Sequence, residues 1–388
     1  MKTLKYTLIA LAVLSLVGFV IYKFLPINPP LKLSSPYEGE IPLEELTLPE
    51  GFGIDVWADS VENARSMTLS ENGTLFVGTR SKGNVYALRD TDDDGRADKK
   101  WTILSEANMP NGVAFKEGDL YIAEVNRILK FEDIETKLDN PGEPIVVYDQ
   151  YPTETHHGWK YIAFGPDEKL YVPVGAPCNI CESEDPVFNT ITRLDPDGSN
   201  FEIIQKGVRN SVGFDWHPST GDLWFTDNGR DWLGDDKPDC ELNHAPNPNM
   251  HFGYPYCHQG DIADPEFGEN KDCRDFTPPA VKLGPHTAPL GMEFYTGNNF
   301  PEEYRSRAFI ARHGSWNRKK KIGYDLVVAN INSEKGGNGY ETFITGWLNP
   351  ETDDVWGRPV DVEMMPDGTM LLSDDYASVI YRIYYKPE

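Results

Sequence analysis

Two adjacent histidines stand just before an apolar, strand-like segment, and their side chains could do acid–base chemistry. The segment reads HHGWKYIAFGPD and begins with His156 and His157. A neutral imidazole, with a pKa of about 6.5, can accept a proton from a hydroxyl group near neutral pH. The pair could equally hold a metal ion or form ordinary polar surface, and the pattern alone leaves these alternatives open.

Basic and amide side chains recur at the ends of other apolar segments. They are Arg209, Asn210, Asn228, Arg230, His313, Arg318 and Arg358. Arginine presents a planar fork of N–H donors that matches a carboxylate, although surface salt bridges are the simpler explanation for each residue alone. Their recurrence at equivalent places in a chain with a net charge of −26 favours a channel that binds a multiply negative molecule.

An acidic loop with the sequence DTDDDGRAD could bind calcium. Asp90, Asp92 and Asp94 are spaced as at the start of an EF-type calcium loop. The final bidentate glutamate of such a loop is missing, because Trp101 stands at the twelfth position, and Asp98 could substitute for it. A structural calcium site and a plain acidic hairpin turn are both compatible with this stretch.

A repeated structural unit must position these residues. An apolar strand, a Gly-Asp or Asp-Gly turn and a second apolar strand recur six times, at residues 67–79, 111–124, 161–175, 212–227, 291–314 and 361–375. Repeats of about 45–60 residues with several strands each are typical of β-propellers. The chain is therefore predicted to be an all-β, six-bladed β-propeller, with a sandwich or barrel as the less favoured alternative. Residues 51–58 precede the first copy and could close the ring as the outer strand of the last blade.

The N-terminal region, residues 1–30, is separate from the propeller at residues 45–388. Residues 6–22 are apolar and follow two lysines, which predicts a hydrophobic helix at the short end of a membrane span. The positive flank places the body of the protein outside the cytoplasm. We expect an exported protein on the periplasmic or extracellular face that is anchored in the membrane by this helix. A cleaved signal peptide and a buried core helix are the alternatives.

The five cysteines are consistent with export. Cys178 and Cys181 form a C-x-x-C motif, Cys257 and Cys273 flank an irregular acidic stretch, and Cys240 is left over. Structural disulfides are expected in an oxidising compartment, so we predict two disulfides within these pairs and a free Cys240. A zinc finger would need a second C-x-x-C pair, and no C-x-x-C-H motif for covalent haem occurs.

Composition and motifs exclude several classes of function. The chain has 388 residues, of which 36 are basic and 62 acidic. A nucleic-acid partner is not expected, because that interface needs a basic face. A G-x-S-x-G elbow, a P-loop and a dinucleotide-binding glycine motif between a strand and a helix are all missing. Carboxylates are so abundant that counting them does not exclude a glycosidase.

Several blocks of the sequence resemble a known enzyme family. Taken in order they are PNGVAF, NRI, HHGWKYIAFGPD, PVGAPCNIC, GVRNSVGFDWHP, FTDNGRD, ELN, FGYPYC, APLGMEFY, HGSWNR and GRPVDV. Together they resemble the sorbosone dehydrogenase group, which are quinoprotein sugar dehydrogenases related to the soluble glucose dehydrogenases. The resemblance covers residues 45–388. It implies a propeller that binds pyrroloquinoline quinone (PQQ) and Ca²⁺ in its central channel and oxidises a sugar, or a sugar aldehyde or alcohol.

The resemblance also implies catalytic roles. His157 matches the general base that takes the hydroxyl proton of a sugar while a hydride passes to the quinone. His156 stands where the soluble glucose enzymes have an aspartate, so the group that orients the base is left open. Arg209 matches the arginine of the channel floor, with a part in both catalysis and cofactor binding.

Cofactor and metal contacts follow from the same resemblance. The expected PQQ contacts are Arg209, Asn210, Asn228, His313, Arg318 and Arg358. The backbone carbonyls of Gly229 and Arg230 match the positions that hold Ca²⁺, a Lewis acid for the quinone carbonyl. The three carboxylates of PQQ agree with a basic channel. Without a haem motif, the electrons are expected to pass to an external acceptor, either a quinone or a separate cytochrome.

Two other functions stay open at this point. A calcium-dependent lactonase-type hydrolase on the same fold would need carboxylate ligands in the channel, and Arg358 with the HGSWNR block disfavours that. A non-catalytic binding propeller is the third possibility. The identity of the sugar depends on loops such as residues 231–249 and 261–279, which carry no recognisable pattern.

Overall fold

The computed structural model describes residues 37–332 and 336–387, and in the N-terminal region Tyr6, Leu11 and residues 13–18. From residue 37 onward, the described chain is almost entirely strand and loop. Its helical elements are single 3₁₀ turns at Leu43–Glu45, Ile134–Thr136, Cys273–Asp275 and Glu302–Tyr304. The prediction of an all-β fold is therefore confirmed.

The strands form six sheets of four or more strands, one for each predicted repeat. Blade 1 contains β2 (Ala64–Leu69), β3 (Leu75–Thr79), β4 (Val85–Arg89) and β5 (Lys99–Leu104). Blade 2 contains β6 (Gly112–Lys116), β7 (Asp119–Ala123), β8 (Ile128–Phe131) and β9 (Ile145–Tyr148). Blade 3 contains β10 (Ala163–Phe164), β11 (Leu170–Val174), β12 (Thr190–Leu194) and β13 (Glu202–Lys206), with β17 (Met250–His251) as a parallel fifth strand.

The remaining blades complete the ring. Blade 4 contains β14 (Phe214–Trp216), β15 (Leu223–Asp227), β16 (Asp239–Ala245) and β20 (Val281–Pro285). Blade 5 contains β21 (Pro289–Phe294), β22 (Ala308–Arg312), β23 (Asp325–Asn332) and β24 (Gly336–Ile344). Blade 6 contains β25 (Pro359–Met364), β26 (Met370–Asp374), β27 (Val379–Tyr385) and β1 (Phe52–Ala58). A small hairpin of β18 (Cys257–His258) and β19 (Ile262–Ala263) lies in the loop that precedes β20.

The ring is closed by β1, which pairs antiparallel with β27 from Phe52 opposite Tyr385. The first strand of the propeller thus becomes the outer strand of its last blade. This closure was predicted from residues 51–58 and is confirmed. It joins the two ends of the propeller and removes the unpaired outer edge that β27 would otherwise present.

Apolar side chains fill the space between each pair of neighbouring blades. Phe76 and Val85 of blade 1 pack with Val113 and Ile122 of blade 2, and equivalent clusters occupy the other five interfaces. A middle strand such as β3 is therefore buried on both faces. The hydrophobic stabilisation of the fold is distributed around the ring rather than gathered in one core.

Both predicted disulfides are present. Cys178 is bonded to Cys181, and Cys257 to Cys273. Cys240 is free and buried, and its burial raises the pKa of its thiol. The first disulfide lies in the loop that leaves β11, and the second joins the β18 region to the 3₁₀ turn that precedes β20.

The predicted N-terminal hydrophobic helix, residues 6–22, falls largely outside the described residues. Tyr6, Leu11 and residues 13–18 are helical, and the large apolar side chains among them are exposed. In the described part of the chain, no helix has the length and apolar character needed to cross a membrane. The membrane-spanning helix therefore stays a prediction.

Carboxylates supply hydrogen-bond acceptors along the channel side of the inner strands. The first strand of each blade lies innermost and has no strand partner on that side, so its free N–H groups need other acceptors. Asp361 Oδ2 accepts from Met67 N (2.9 Å), and Glu363 Oε1 accepts from Leu69 N (2.9 Å). Side chains of β25 in blade 6 therefore fasten β2 of blade 1.

The same arrangement crowds acidic groups in the channel. Burial and the neighbouring Asp361 raise the pKa of Glu363 to about 8, and burial raises the pKa of Asp361 to about 7. Asp215 on β14 interacts with Glu363, and Glu293 on β21 interacts with both groups. Burial raises the pKa of Asp215 and of Glu293. These carboxyl groups hold the inner strands, and their crowding favours the protonated form of each.

Glu363→Gln is expected to stabilise the protein at alkaline pH. The folded protein keeps the Glu363 proton up to a pKa of about 8, whereas the ordinary value is 4.5, so rising pH between these values favours unfolding of the wild type. Glutamine cannot ionise and keeps an oxygen for Leu69. Thermal unfolding should show little difference at about pH 4.5 and a gain on the order of 1–3 kcal/mol at about pH 8.5. Exposed Glu71→Gln is the matched control, and the same gain at both pH values would contradict the argument.

Candidate active site in the central channel

One end of the channel gathers most of the residues that the sequence singled out. In each blade the first two strands are antiparallel, so the start of the first and the end of the second lie at the same end of the channel. The residues that directly follow the second strands are Arg80, Glu124, Gly175, Asn228, His313 and Asp375. We call the positively charged and histidine side chains here the basic cluster: Arg65, Arg80, His156, His157, Arg209, His313 and Arg358. Their mutual electrostatic interactions link them into one group.

His157 lies at the corner of a tight turn. Gly158 N donates to Thr155 O (3.1 Å), and His157 has a φ of 50°, in the left-handed region. The two histidines therefore lie on a turn and not on an extended strand. The turn brings the two rings together, with centroids 4.1 Å apart.

A hydrogen bond from the His157 ring determines which of its two nitrogens carries the proton. Its Nδ1 lies 2.9 Å from the carbonyl oxygen of Ala176. A carbonyl can only accept, so Nδ1 carries a proton, and in the neutral ring the lone pair is on Nε2. Burial and the charges of Arg209 and His156 hold the pKa of His157 well below its usual value. The group that orients the candidate base is therefore a backbone carbonyl and not a carboxylate.

Arg209 is buried and held by contacts on all sides of its guanidinium. Nε donates to the backbone oxygen of Asn179 (2.9 Å), and Nη2 donates to the Oδ1 of the same residue (2.9 Å). Nη1 donates to Asn228 O (3.0 Å), and Nη2 is 3.5 Å from Asp231 Oδ2. Sequence reasoning identified Arg209 but not Asn179, which was noted only as part of the C-x-x-C block.

Asn210 and Asn228 lie side by side where β14 begins and β15 ends. Asn228 Nδ2 donates to Asn210 O (2.9 Å) and to Pro289 O (3.1 Å), which ties blade 4 to blade 5. Within the described chain, no donor reaches Asn228 Oδ1 and no partner bonds to the side-chain amide of Asn210. These atoms are available to a ligand in the channel.

The backbone carbonyls of Gly229 and Arg230 follow directly. Among the described residues, neither oxygen accepts a hydrogen bond, so both are available to a cation. The Arg230 guanidinium instead pairs with Asp264, which also accepts from His258 Nε2 (2.8 Å). Although burial opposes it, these hydrogen bonds and those from backbone N–H groups lower the pKa of Asp264 to about 2.

Asp375 joins two members of the basic cluster that lie on different blades. Its carboxylate accepts from Arg65 Nη1 (2.7 Å) and His313 Nε2 (2.8 Å). Burial raises the pKa of Asp375, but His313 and Arg65 outweigh it and hold the pKa far below the usual value. Burial and the charge of Arg358 lower the pKa of His313 to about 4. Arg358 Nε donates to His313 O (3.1 Å), so these four residues form one connected group. Sequence reasoning missed Arg65 and Asp375.

Arg80 is the most weakly paired guanidinium of the basic cluster. It stacks on the Trp159 ring at 3.7 Å, and its side chain has no hydrogen bond to a described residue. Burial and the charge of Arg65 lower its pKa to about 10. Sequence reasoning missed Arg80 as well, although it directly follows the second strand of blade 1, as His313 does in blade 5.

Arg318 lies apart from the basic cluster. It donates to Asp235 O and approaches Asp236 Oδ1 (3.3 Å), in the loop that follows β15. The preceding residue, Asn317, donates to Asp231 Oδ1 (2.7 Å). Asn317 and not Arg318 therefore contacts the group around Arg209.

The acidic loop brings three of its four candidate ligands together. Carboxylate oxygens of Asp90, Asp92 and Asp98 lie within 4.8 Å of one another, whereas Asp94 accepts from Arg96 N (2.8 Å) and does not join them. The Oδ1 of Asp90 is buried without a hydrogen-bond partner. In the part of the chain that the structure describes, no other group of three His, Cys, Asp or Glu side chains has metal-binding spacing.

Comparison with known proteins places the chain in a family. A family model described as a domain of unknown function (DUF7133) matches residues 39–383. The chain belongs to this family. It is also 32% identical over 364 residues to an uncharacterized protein of Borreliella burgdorferi, an alignment that covers 89% of this chain and 93% of that protein.

Solved structures with the same fold include a carbohydrate-active enzyme and the PQQ domain of a pyranose dehydrogenase. The Carbohydrate-Active Enzymes family AA12 protein of Trichoderma reesei superposes with a TM-score of 0.79 at 19% identity, over 90% of this chain and 99% of that one. The PQQ domain of the Coprinopsis cinerea pyranose dehydrogenase gives 0.75 at 18% identity, over 87% and 97%. In sequence, the PQQ-dependent pyranose dehydrogenase of Coprinopsis cinerea is 23% identical over 74% of this chain. The match covers 45% of that protein, so this chain spans about half its length.

These similarities confirm the propeller fold. They also confirm, at the level of fold, the resemblance of the DUF7133 chain to PQQ-dependent sugar dehydrogenases. The narrower resemblance to the sorbosone dehydrogenase group stays a prediction. Sequence identities below 25% show a shared fold and not a shared activity. The activity of this chain must therefore be argued from its own site residues.

We propose that Asp90, Asp92 and Asp98 hold a structural calcium ion. The loop rests on blade 6, where Ala97 N donates to Trp57 O (2.8 Å), so calcium should strengthen the contact between blades 1 and 6. Asp90→Ala should bind one calcium ion fewer than the wild type in equilibrium dialysis, and calcium should raise its melting temperature less. At calcium 100-fold above the dissociation constant, the lost stabilisation is about 2.7 kcal/mol. Exposed Asp93→Ala is the control from the same loop, and unchanged stoichiometry in Asp90→Ala would contradict the site.

Proposed function

We propose that this protein is a PQQ- and calcium-dependent dehydrogenase that oxidises a sugar, or a sugar aldehyde or alcohol. The observation that carries the proposal is the basic cluster, which concentrates four guanidinium groups at one end of the channel in a protein with a net charge of −26. A molecule with several carboxylates is the ligand that such a site favours. A neutral histidine with a free lone pair stands beside these arginines, which supports oxidation of a hydroxyl group rather than binding alone.

The residues present fit PQQ and its cation. Arg80, Arg358 and the Asn210 amide offer donors to the carboxylates of PQQ. The unpaired carbonyls of Gly229 and Arg230 are hard oxygen ligands of the kind that Ca²⁺ prefers. When bound, PQQ supplies the two-electron oxidation, and Ca²⁺ supplies a Lewis acid. The protein positions the substrate and removes a proton.

His157 Nε2 is the atom that takes the substrate proton. A sugar hydroxyl has too high a pKa to ionise by itself near neutral pH, so a positioned base lowers the barrier. The Ala176 carbonyl keeps the proton on Nδ1, so Nε2 is the nitrogen left for the substrate. Burial keeps the imidazole neutral, and the charges of Arg209 and Arg80 further disfavour a second proton by lowering the pKa of His157. Electrons then pass to an external acceptor, a quinone or a separate cytochrome.

Two exposed tryptophans at the rim support a sugar as substrate. Trp232 and Trp316 are 45% and 46% exposed, with ring centroids 5.5 Å apart. Trp232 follows Asp231 in the sequence, and Trp316 precedes Asn317. Asp231 and Asn317 are joined by a hydrogen bond. Exposed indole faces beside a polar site can pack against the C–H groups of a sugar ring.

The alternatives have less support. A lactonase-type hydrolase would need a carboxylate-bound metal in the channel, and among the described residues the group with suitable spacing lies on the Asp90 loop instead. A non-catalytic binding propeller would not need the strained, oriented His157. The names of the relatives, pyranose dehydrogenase and aldose sugar dehydrogenase, agree with sugar oxidation.

Export and membrane anchoring belong to the same proposal. Residues 6–22 form an apolar run behind two lysines, and the disulfides suit an oxidising compartment. We expect the protein to fractionate with membranes, with its propeller accessible to protease added outside the cytoplasm. Deletion of residues 1–30 should release a folded propeller. A mature N-terminus beyond residue 23 in a soluble fraction would contradict the anchor.

PQQ should bind only in the presence of Ca²⁺. Titration of the metal-free protein with PQQ, followed by protein fluorescence, should show tight binding with calcium and little with chelator. Arg358→Ala should weaken binding by roughly 30- to 1,000-fold, since a charge-assisted pair in a desolvated channel contributes on the order of 2–4 kcal/mol. Arg193→Ala, which removes a salt-bridged arginine outside the channel, is the matched control. Equal PQQ affinity with and without chelator would contradict the proposed cofactor site.

His157→Ala should lower kcat while PQQ and Ca²⁺ still bind. Positioned general bases contribute about 10²- to 10⁴-fold, and the loss should be of that order. In the wild type, kcat should fall only at a pH well below about 6.5, because the pKa of His157 is lowered. His156→Ala should have the smaller effect, since the bond to Ala176 belongs to His157.

His244→Ala, on β16 of blade 4, is the matched control for this experiment. If His156→Ala abolishes turnover and His157→Ala hardly changes it, the base is His156. If neither substitution matters in a protein that holds PQQ, the proposed mechanism is wrong.

A further inference from the structure

One short segment of blade 3 supports both the candidate base and the candidate floor arginine. Residues 175–181 follow β11 and run beside the channel. Ala176 N donates to Arg209 O (2.8 Å), and Ala176 O accepts from His157 Nδ1 (2.9 Å). A single residue therefore sets the spacing between His157 and Arg209, although these lie on different loops.

Gly175 permits this close approach. A Cβ atom at this position would lie 2.7 Å from His157 Cβ and 3.3 Å from Arg209 O. Contacts below 3.0 Å force a neighbour to move, so a side chain here would displace the histidine. The segment is thus packed against both functional residues, and it also bonds to them.

Asn179, in the same segment, accepts two hydrogen bonds from the guanidinium of Arg209. Its backbone oxygen accepts from Arg209 Nε, and its Oδ1 accepts from Arg209 Nη2, both at 2.9 Å. The same Oδ1 accepts from Asp231 N (2.9 Å), and Nδ2 donates to Asp231 O (3.3 Å). One amide therefore fixes the rotation of the guanidinium and ties it to the loop that carries Asp231.

The Cys178–Cys181 disulfide encloses Asn179 in a four-residue loop. Tyr254, which is buried, accepts a hydrogen bond at its hydroxyl oxygen from Cys181 N (3.1 Å). The cross-link and this hydrogen bond hold both sides of Asn179, so its backbone oxygen cannot swing away from Arg209 without breaking one of them. Both cysteines are half-buried and can be reached by a small reductant.

We propose that Asn179 is a positioning residue for Arg209, and that the Cys178–Cys181 disulfide is the clamp that keeps Asn179 in place. The proposal rests on the proposed function for its catalytic meaning, since Arg209 faces the cofactor and substrate there. The hydrogen bonds themselves belong to the protein alone, so they can be tested without cofactor.

The first test is hydrogen exchange of the cofactor-free protein. The Asp231 N–H, which Asn179 Oδ1 accepts, should exchange at least tenfold faster in Asn179→Ala and in Cys178→Ser/Cys181→Ser than in the wild type. The matched control is Cys257→Ser/Cys273→Ser, which removes the other disulfide. Unchanged exchange at Asp231 in both clamp variants would overturn the proposal, whatever the protein does with PQQ.

Chemical reduction gives the same comparison without mutation of the clamp. In Cys257→Ser/Cys273→Ser the clamp is the remaining disulfide, since Cys240 is free. Dithiothreitol would break its S–S bond, leave two thiols and itself become a cyclic disulfide, so two electrons and two protons are transferred. Reduction should then speed exchange at Asp231, and reoxidation should restore protection. Failure of protection to change with the redox state would contradict the clamp.

The second test separates positioning from a general loss of folded protein. The groups that act on the titration of His157 are Arg209, His156 and Arg80, together with the hydrogen bond to Ala176. When Asn179 no longer holds Arg209, the acidic limb of the kcat–pH profile should shift to higher pH in Asn179→Ala and in Cys178→Ser/Cys181→Ser. Asn179→Asp keeps an acceptor oxygen for Arg209 and for Asp231 N, so in the exchange experiment it should protect the Asp231 N–H better than Asn179→Ala does.

A lower kcat with an unshifted profile in both clamp variants would mean that the segment contributes stability only, and would refute the positioning role. If the wild type neither binds PQQ nor oxidises a sugar, the proposed function fails. In that case the hydrogen-exchange result still shows whether the disulfide holds Asn179 in place. A failure of the proposed function can therefore be distinguished from a failure of the clamp proposal.

Discussion

The site depends on holding several guanidinium groups close together against their mutual repulsion. Arg65, Arg80, Arg209 and Arg358 lie in one electrostatic group, and burial together with the charges of Arg65 and Arg358 lowers the pKa of Arg80. Asp231 and Asp375 are the carboxylates that offset this charge. The positive charge left over makes the channel a place for a multiply negative ligand.

Each arginine keeps its place through the inner ends of the blades. Arg65 bonds to Asn111 of the next blade (2.6 Å) and to Asp375 of the previous one, while Arg209 is held by the loop of blade 3 and Arg358 by the end of β22. The closed ring is therefore needed to bring the residues of the cluster together, because no single blade contains enough of them. Elsewhere on the inner strands the carboxylates of Asp361 and Glu363 fasten neighbouring blades. The inner ends of the blades thus carry the basic cluster, which is the proposed ligand site, while acidic groups elsewhere on the inner strands hold neighbouring blades together.

The sequence predicts the fold well because its signals are local. Six hairpins with glycine and aspartate turns define the blades. The strand-like residues 51–58, which precede the first hairpin, predict the ring closure. His157, Arg209 and Asn228 could be recognised because they stand at the ends of apolar strands. The same rule points to Arg80 and Asp375, which also end a strand but were read as part of the repeat.

Other features depend on contacts that the sequence does not display. The role of Asn179 comes from a bond between a loop of blade 3 and a residue that precedes blade 4. The turn at His157 lacks a glycine at its left-handed position, so it resembles an extended strand in sequence. Arg318 and His313 belong to the same HGSWNR block and were both expected to contact the cofactor. Arg318 contacts Asp235 and Asp236 and does not join the basic cluster.

The central claim is that the basic cluster and His157 act together to oxidise a sugar. The most direct measurement is the absorption spectrum of the protein loaded with PQQ and Ca²⁺, recorded without oxygen as an aldose is added. The account predicts conversion of the bound quinone to its reduced form with the wild type, and conversion that is slower by about 10²- to 10⁴-fold with His157→Ala. A quinone spectrum that no aldose changes, in a protein that holds both PQQ and Ca²⁺, would contradict it.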